Sequence, residues 1–170
     1  MAAQGSIIFS YGTLKRGFPN HNLMEDLISS GDAAFITSGV TQQPYPLVIG
    51  PNGIPYLINI PGQGRRVKGE LYRVSSRGMV RVDELEGTRV GHYERLPIRV
   101  ERNGDGDGGD QSAAEAYFAN RAFGEKMWER IGEGLSEYTV RDGESYVRKE
   151  NRPPGSSFLG EIQLFLHPRS

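Results

Sequence analysis

The sequence predicts a single α+β domain built on a mainly antiparallel or mixed, curled β-sheet. The 170 residues include 23 glycines and 10 prolines, which indicates many turns and short strands and argues against a helical bundle. Segments with strand and helix patterns do not alternate regularly, so a doubly wound parallel sheet is not expected. Hairpins dominate the middle of the chain, where a long alternating strand is followed by its antiparallel partner.

Short apolar runs rich in β-branched and aromatic residues predict the strands. The predicted strands are Ser6–Ser10, 35–41, Leu47–Ile49, 56–59, 67–74, 93–101 and 113–118. The first run is continuously apolar, which is typical of a buried strand, and it stops at a Tyr-Gly turn. Prolines at positions 44, 46, 51 and 55 confine the short strands near them to sheet edges or strand ends.

One helix is predicted over residues 75–86, because the apolar residues at positions 79, 82 and 85 fall on one stripe. Ser75 or Ser76 can cap its start, and Gly87 ends it. A second helix is predicted over residues 22–29, with an asparagine at position 20 or 22 as N-cap and the glycine at position 31 as stop. Weaker patterns predict helical turns at 125–131 and 146–152.

The predicted domain spans residues 1–170, with its core at about 6–152. Residues 103–112 carry three aspartates among four glycines and are expected to form a flexible acidic hairpin loop. Residues 153–170 are expected to form a C-terminal tail, in which Phe158–Leu166 is either a final strand or a loose segment.

Composition excludes several classes of function. The chain has no cysteine, which rules out disulfide scaffolds, thiolate zinc sites and thiol nucleophiles, and its three histidines are scattered. The 20 basic and 21 acidic residues give a net charge of −1, which argues against a nucleic-acid binder with a broad basic field. Neither a signal peptide nor an apolar run of membrane-spanning length is visible, so a soluble protein of a reducing compartment is expected.

The first candidate binding element is Tyr11-Gly12-Thr13-Leu14, at the end of the first predicted strand. A glycine at this position lets the chain bend so that successive N–H groups point the same way, and such a nest binds a carboxylate or an oxyanion. Thr13 adds a hydroxyl group. These residues are equally compatible with an ordinary strand-end turn followed by a solvated Lys15 and Arg16.

Glu86 is the candidate acid–base group. It lies at the C-terminal end of the predicted helix, three residues after Asp83, on the face that also holds Met79 and Val82. Burial and the negative end of the helix dipole both oppose a charged carboxylate there, and a glutamate with a raised pKa suits proton transfer near neutrality. The alternative is an exposed glutamate at a helix end. Tyr93 is also a candidate, although buried tyrosines usually serve packing with one satisfied hydroxyl.

Taken together, these residues resemble the γ-glutamylcyclotransferase-like family. The similarity covers roughly residues 7–152, in the order expected for that family, and is strongest to its γ-glutamylamine cyclotransferase and plant avirulence-induced (AIG2-like) members. The matching segments are Tyr11-Gly12-Thr13-Leu14-Lys15-Arg16-Gly17, Pro19-Asn20, Pro44-Tyr45-Pro46-Leu47-Val48, Pro61-Gly62, Gly69-Glu70-Leu71-Tyr72, Val82-Asp83-Glu84-Leu85-Glu86-Gly87, Tyr93-Glu94-Arg95 and Glu150-Asn151-Arg152.

The resemblance implies a small mixed or antiparallel α+β barrel and an enzyme that converts a γ-glutamyl amine or γ-glutamyl amino acid into 5-oxoproline and the free amine. It implies that Glu86 is the general acid and base. The γ-glutamyl group would be held by Tyr11, Gly12, Thr13 and Leu14, with Tyr93 beside them. No cofactor, metal, nucleic acid or membrane would be involved, and a cytoplasmic monomer is expected.

Two points stay open at this level. A non-catalytic ligand-binding or stress- and defence-response module on the same fold is the main alternative, although such a module has no need of an acid–base residue at position 86. Residues 120–144 match no family segment, and they are expected to border the site and to set the preference for the leaving amine.

Overall fold

The structure is a computed structural model that describes residues 5–102, 111–152 and 157–167. Within these ranges the strands are β1 Ser6–Ser10, β2 Ala33–Thr41, β3 Leu47–Ile49, β4 Pro55–Leu57, β5 Lys68–Val74, β6 Tyr93–Arg102 and β7 Gln111–Ala119. The helices are α1 His21–Ser29, α2 Ser76–Glu86, α3 Gly124–Ile131, α4 Val140–Gly143 and α5 Phe158–Leu166. Short 3₁₀ turns occur at Pro51–Gly53, Thr88–Val90 and Lys149–Asn151.

Five strands close into a barrel in the order β1-β5-β2-β6-β7. Neighbours are antiparallel, except that β1 and β7 close the barrel in parallel where Ile8 lies opposite Glu115. The hairpin of β3 and β4 extends the sheet, because β4 pairs in parallel with β7 where Leu57 lies opposite Phe118. The predicted small mixed α+β barrel is therefore confirmed.

One edge of β7 is shared by β1 and β4, and Tyr11 fills the place where these two strands diverge. Its hydroxyl donates to the carbonyl oxygen of Tyr117 at 2.6 Å and accepts from the backbone N–H of Leu57 at 3.3 Å. A side chain thus satisfies backbone groups at the point where the strand ladder is interrupted. The chain after Tyr11 turns away from the barrel at this gap.

The core has two parts, one inside the barrel and one between the barrel and the helices. Successive side chains of a strand point to opposite faces, so in β1 Phe9 packs inside the barrel and Ile8 packs under the helices. The inner part includes Leu71, Val100 and Phe118, all buried. The outer part contains apolar residues of α1, α2, α3 and α5, and these contacts pack the helices against the sheet.

The helix predicted over residues 75–86 agrees closely with the structure. Ser75 accepts a hydrogen bond from the N–H of Gly78 at 3.0 Å and caps α2, and Gly87 ends the helix with a left-handed φ of 68°. Asn20 does occupy the N-cap position of α1, but its side chain makes no capping bond. That side chain instead donates to Thr13 and to Tyr146, so a tertiary contact has replaced the local one.

The C-terminal segments differ from the sequence prediction. Phe158–Leu166 is neither a strand nor a loose tail: it forms α5, which Ser157 caps and which buries Ile162 in the outer core. The predicted helical turn at 146–152 is only the 3₁₀ turn Lys149–Asn151. The short helix α4 was missed, although Thr139 and Asp142 form a capping box at its start.

Within the range 103–112 that was expected to form an acidic loop, Gln111 and Ser112 already belong to β7. Residues 103–110 lie outside the described residues, as do 153–156 and 168–170 of the expected tail. Among the described helices, none has the length and apolar character needed to cross a membrane.

Lys15 is not solvated, contrary to the simpler interpretation of the Tyr11–Arg16 turn. Its side chain is only 5% exposed, and its ammonium group donates to the carbonyl oxygen of Tyr138 at 2.7 Å and lies 4.4 Å from the ring centre of Phe18. Burial lowers the pKa of Lys15. Arg16 is also paired, since its backbone N–H and Nε both donate to Glu70. The residues after Leu14 therefore anchor the turn to neighbouring elements.

We expect Lys15→Met to lower the free energy of unfolding by about 1–3 kcal/mol, because a charge-assisted hydrogen bond is lost and the carbonyl of Tyr138 is left unpaired. Urea unfolding measures this change. Lys126→Met, at an exposed position of α3, is the matched control and should change stability little. Equal losses in the two variants would contradict a structural role for Lys15.

Candidate active site

The turn after β1 and the C-terminal end of α2 meet at one small cavity. Its volume is about 30 Å³, and we call it the inner cavity. Its lining includes all of the residues that the sequence singled out, namely Tyr11, Gly12, Thr13, Leu14, Glu86 and Tyr93. Residues far apart in the chain are thus neighbours, because β1 sits in the barrel wall and α2 packs against it through Met79 and Val82.

The turn that lines the inner cavity has backbone N–H groups without a partner among the described residues. The N–H of Lys15 donates to the carbonyl of Gly12 at 3.2 Å, which closes the turn. The N–H groups of Gly12, Thr13 and Leu14 make no hydrogen bond with the described part of the chain. Adjacent unpaired N–H groups create a positive local field that suits a carboxylate or a developing oxyanion.

Gly12 is required for a reason that the sequence did not indicate. Its backbone is not in the left-handed region, so the expected conformational freedom is not what the turn uses. A Cβ at this position would instead lie 2.7 Å from Cγ of Pro55, which is far inside van der Waals contact. The absence of a side chain therefore lets the turn pack directly against the start of β4.

The turn is held from behind by the start of α1. Asn20 donates its side-chain amide to the Thr13 hydroxyl at 2.9 Å, and its backbone N–H bonds to the carbonyl of Thr13 at 2.9 Å. His21 contacts the carbonyl of Leu14 through Nδ1 at 2.8 Å. These contacts, with the buried Lys15, hold the N–H groups in place before any ligand arrives, and such preorganisation reduces the cost of binding.

Three tyrosines line the inner cavity, and their hydroxyl groups already form hydrogen bonds with other protein groups. Tyr93 donates to the carbonyl of Pro55 at 2.7 Å, and Tyr117 donates to the carboxylate of Asp83 at 2.6 Å. Tyr11 is bonded to the backbone of Tyr117 as described above. Burial raises the pKa of each of these phenols, so all three stay protonated near neutral pH.

Glu86 reaches the inner cavity from the last residue of α2. Its carboxyl group forms no hydrogen bond or ion pair with the described residues. Burial, and after it the negative charge of Asp83, raises the pKa of Glu86 to about 8. A carboxyl group with this pKa exchanges protons readily near neutral pH.

Asp83 is itself fixed one turn before Glu86. It accepts the short hydrogen bond from Tyr117, and the guanidinium of Arg95 lies 3.6 Å from its second oxygen. Arg95 also lies 3.8 Å from Glu115, so its charge is shared between two carboxylates. Asp83 therefore remains a negative neighbour of Glu86 in a defined position.

A larger cavity of about 150 Å³ adjoins the inner one, and we call it the outer cavity. The two share Thr13, Pro55, Glu86 and Tyr93 in their linings. The far side of the outer cavity comes from the C-terminal part of the chain. The residues concerned are Tyr146, Lys149, Arg152 and Phe158.

Residues 120–144 were expected to border the site, but neither the inner nor the outer cavity has a lining residue in that range, and residues 137–140 instead line a separate cavity with Lys15 and Arg16. The chain from 120 to 132 instead packs α3 against the outer core. The sequence did contain one signal for the far side of the outer cavity, namely the family match at Glu150-Asn151-Arg152. Nothing in the sequence indicated which site these residues approach.

A buried aromatic group supports the outer cavity. His92 is bonded through Nε2 to the hydroxyl of Tyr56 at 2.6 Å and is stacked on Phe158 with ring centres 4.2 Å apart. Burial lowers the pKa of His92 to about 3, so the ring is neutral near pH 7. In residues 5–102, 111–152 and 157–167, no three histidine or carboxylate side chains are grouped to hold a metal ion.

Comparison with known proteins yields one consistent family. The family model described as "Gamma-glutamyl cyclotransferase, AIG2-like" matches residues 8–137. The chain is 45% identical to an Arabidopsis thaliana protein provisionally named as a γ-glutamylcyclotransferase, covering 96% of this chain and 93% of that protein. It is 38% identical to human γ-glutamylaminecyclotransferase, covering 74% of this chain and 85% of the human one.

The structural comparison agrees with the sequence comparison. The crystal structure of an AIG2-like protein from Mus musculus superposes with a TM-score of 0.74 at 32% identity. The superposition covers 88% of this chain and 99% of the mouse chain. The barrel and its helices are therefore shared by the two proteins along almost the whole length of the mouse protein.

Proposed function

The chain belongs to the AIG2-like γ-glutamyl cyclotransferase family, and from this premise we propose that it converts a γ-glutamyl amine or γ-glutamyl amino acid into 5-oxoproline and the free amine. The observation that carries this proposal is the inner cavity, which is lined both by Glu86 and by residues 12–14, whose N–H groups are unpaired within the described part of the chain. A monomeric state, a cytoplasmic location and the lack of nucleic-acid partners stay predictions.

Glu86 supplies the proton transfers in the proposed reaction. The substrate's α-amino nitrogen attacks its own δ-carbonyl carbon, and the ionised carboxylate takes a proton from that nitrogen. The same group then delivers the proton to the departing nitrogen as the bond between the δ-carbon and that nitrogen breaks. A pKa of about 8 suits both steps, since it lies close to the working pH of a general acid–base group.

The turn after β1 stabilises the negative charge of the tetrahedral intermediate. The inner cavity, at about 30 Å³, is of the size that holds one or two water-sized groups, so it suits a carbonyl oxygen and not a whole substrate. Prearranged N–H donors at such a position typically contribute a few kcal/mol each to the stabilisation of a transition state. The remaining atoms of the substrate extend into the outer cavity.

Ring closure is intramolecular, which limits what the protein must do. Binding has to bring the α-amino group within reach of the δ-carbonyl, and correctly oriented intramolecular attack removes much of the entropic barrier. Neither a covalent nucleophile nor a bound cofactor is needed for the steps described. This matches the residues present at the cavity, among which Glu86 is the acid–base group.

The proposal is tested by assaying 5-oxoproline and amine release from γ-glutamyl-ε-lysine, γ-glutamyl-alanine and glutathione. We expect equimolar release of both products from at least one of them. If no compound is turned over but 5-oxoproline still binds, the chain is a ligand-binding module and the enzymatic proposal is wrong. If neither turnover nor binding is found, the cavity serves a different ligand.

We expect kcat/KM to rise with pH to an inflection near pH 8, because Glu86 must be ionised to accept the proton. Asp83→Asn removes the negative charge that raises the pKa of Glu86, and the inflection should move to lower pH. The asparagine oxygen can still accept the Tyr117 hydroxyl, so the local packing is retained. Asp26→Asn, at an exposed position of α1, is the control, and an equal pH profile for the two variants would contradict the role of Asp83.

A further inference from the structure

One wall of the outer cavity comes from a part of the chain that the family model does not cover. The family match ends at residue 137, whereas the far wall comes from residues 146–158. The lining of the inner cavity, in contrast, lies entirely within the matched residues. The far wall of the outer cavity is therefore supplied by residues that follow the segment matched by the family model.

Arg152 is held rigidly at this wall. Its Nε donates to the carbonyl of Val147 at 2.9 Å, and one terminal nitrogen donates to the hydroxyl of Tyr146 at 3.3 Å. The same hydroxyl accepts from Asn20, which in turn donates to Thr13 of the turn after β1. A chain of hydrogen bonds thus connects Arg152 to the inner cavity and fixes its distance from the reacting groups.

The guanidinium retains donors for a ligand. Of its five N–H donors, two are used by the contacts above. Within the described ranges, neither Arg152 nor the neighbouring Lys149 forms an ion pair with a carboxylate. Two cations with no acidic partner therefore face one 150 Å³ space.

The charge around the outer cavity favours an anion. The acidic residues in its lining are Glu84 and Glu86, and Glu86 is mostly protonated at neutral pH because its pKa is about 8. His92 adds no positive charge, since its pKa is about 3. Glu84 is exposed and is the remaining carboxylate in the lining, opposite Arg152 and Lys149. While Glu86 is protonated, Arg152 and Lys149 outnumber the one remaining carboxylate of the lining, which favours the binding of an anionic group.

We propose that the outer cavity binds the departing half of the substrate and selects a leaving amine that carries a carboxylate, with Arg152 as the specificity-determining residue. The inference rests on the proposed cyclotransferase function. A guanidinium fork matches a carboxylate in shape and charge, which a point charge does not. Tyr146 and Phe158 provide apolar surface for the hydrocarbon stem between the amine and the carboxylate.

Matched substrate pairs that differ by one carboxylate test the proposal. The first pair is γ-glutamyl-alanine and γ-glutamyl-ethylamine, and the second is γ-glutamyl-6-aminohexanoate and γ-glutamyl-pentylamine. We expect kcat/KM to be about tenfold or more higher for the carboxylate member of at least one pair, the range of a charge-assisted hydrogen bond. In Arg152→Gln this ratio should fall to about 1–2.

Control variants separate this role from a structural one. Arg152→Lys keeps the charge without the fork and should give an intermediate ratio. Arg148→Gln removes an exposed arginine of the same segment that bonds to the carbonyl of Pro19, and it should leave the ratio unchanged. If Arg152→Gln slows both members of each pair by the same factor, Arg152 serves the γ-glutamyl half or the fold, and the proposal is overturned.

A binding measurement keeps the inference testable apart from catalysis. Titration calorimetry of the same pairs with Glu86→Gln, alone and combined with Arg152→Gln, gives the ratio of dissociation constants without turnover. A preference for the carboxylate member that Arg152→Gln abolishes supports the proposal even if the wild type releases no 5-oxoproline. Equal affinity for both members of both pairs overturns it, even if the wild type is an active cyclotransferase.

Discussion

Replacing Glu86 by glutamine is expected to lower kcat by about 10²–10⁴-fold, the contribution typical of a positioned general acid–base group. Glutamine keeps the size of the side chain but can neither accept the proton of the α-amino group nor deliver one to the departing nitrogen. Steady-state release of 5-oxoproline measures the loss. Glu25→Gln makes the same chemical change at an exposed position of α1 and should retain full activity.

The pH dependence of the stability of Glu86→Gln provides an independent check, and the raised pKa of Glu86 determines the direction of the expected change. Since the pKa of Glu86 lies at about 8 in the folded protein, above its ordinary value of 4.5, the neutral carboxyl stabilises the fold fully below that ordinary value. This contribution is lost as the pH rises through 8. Glutamine does not ionise, so the melting temperature of Glu86→Gln relative to wild type should increase between pH 5 and pH 9.

Two results would contradict the role of Glu86. Unaltered kcat in Glu86→Gln would exclude it as the acid–base group. A collapse of the melting temperature at pH 5, where the wild-type carboxyl is neutral, would indicate that the loss of activity has a structural cause. A variant that is folded, binds 5-oxoproline and does not turn over substrate is the expected outcome.

Gly12→Ala is expected to reduce kcat/KM by about 10²-fold, the effect of displacing a reacting group by about 1 Å. The added Cβ would lie 2.7 Å from Cγ of Pro55, and a proline ring cannot rotate away. The turn, which lines the inner cavity, must therefore shift together with its unpaired N–H groups. The effect should fall on the transition state more than on substrate binding, so kcat should decrease more than KM increases.

Removing the opposing atom should restore the activity. Pro55→Ala deletes Cγ but keeps Cβ, which would lie 3.6 Å from the alanine Cβ at residue 12, an ordinary contact distance. The carbonyl of residue 55, which accepts the Tyr93 hydroxyl, is unaffected. The double variant Gly12→Ala/Pro55→Ala should therefore be more active than Gly12→Ala alone. No recovery would mean that Gly12 is needed for another reason.

Local sequence patterns were sufficient for several elements of this protein. The cap at Ser75, the left-handed Gly87 and the apolar stripe of α2 are all encoded within the short segment 75–87, so the position of Glu86 at the helix end could be predicted. The strand β1 and the turn after it were equally clear. The family motifs joined these two elements into one candidate site before any geometry was known.

Contacts between distant residues account for what the sequence did not indicate. The parallel closure of β1 against β7, the burial of Lys15 under Tyr138 and the close approach of Gly12 to Pro55 each join segments whose local patterns carry no record of the partner. The helix α5 was missed for the same reason, since its short apolar run fits a strand or a helix until the core selects one.

The chemistry near the γ-glutamyl carbonyl could thus be inferred from the chain itself, because a turn motif and a helix-end glutamate are local features with defined geometry. The residues proposed to surround the departing amine could not be inferred in this way. Arg152 and Tyr146 reach Thr13 only through Asn20, from the opposite end of the chain, and that approach exists only once the barrel has closed and α5 has packed on the outer core. The proposed specificity wall thus depends on long-range packing, whereas the position of the proposed acid–base group, Glu86, is set by a short-range pattern.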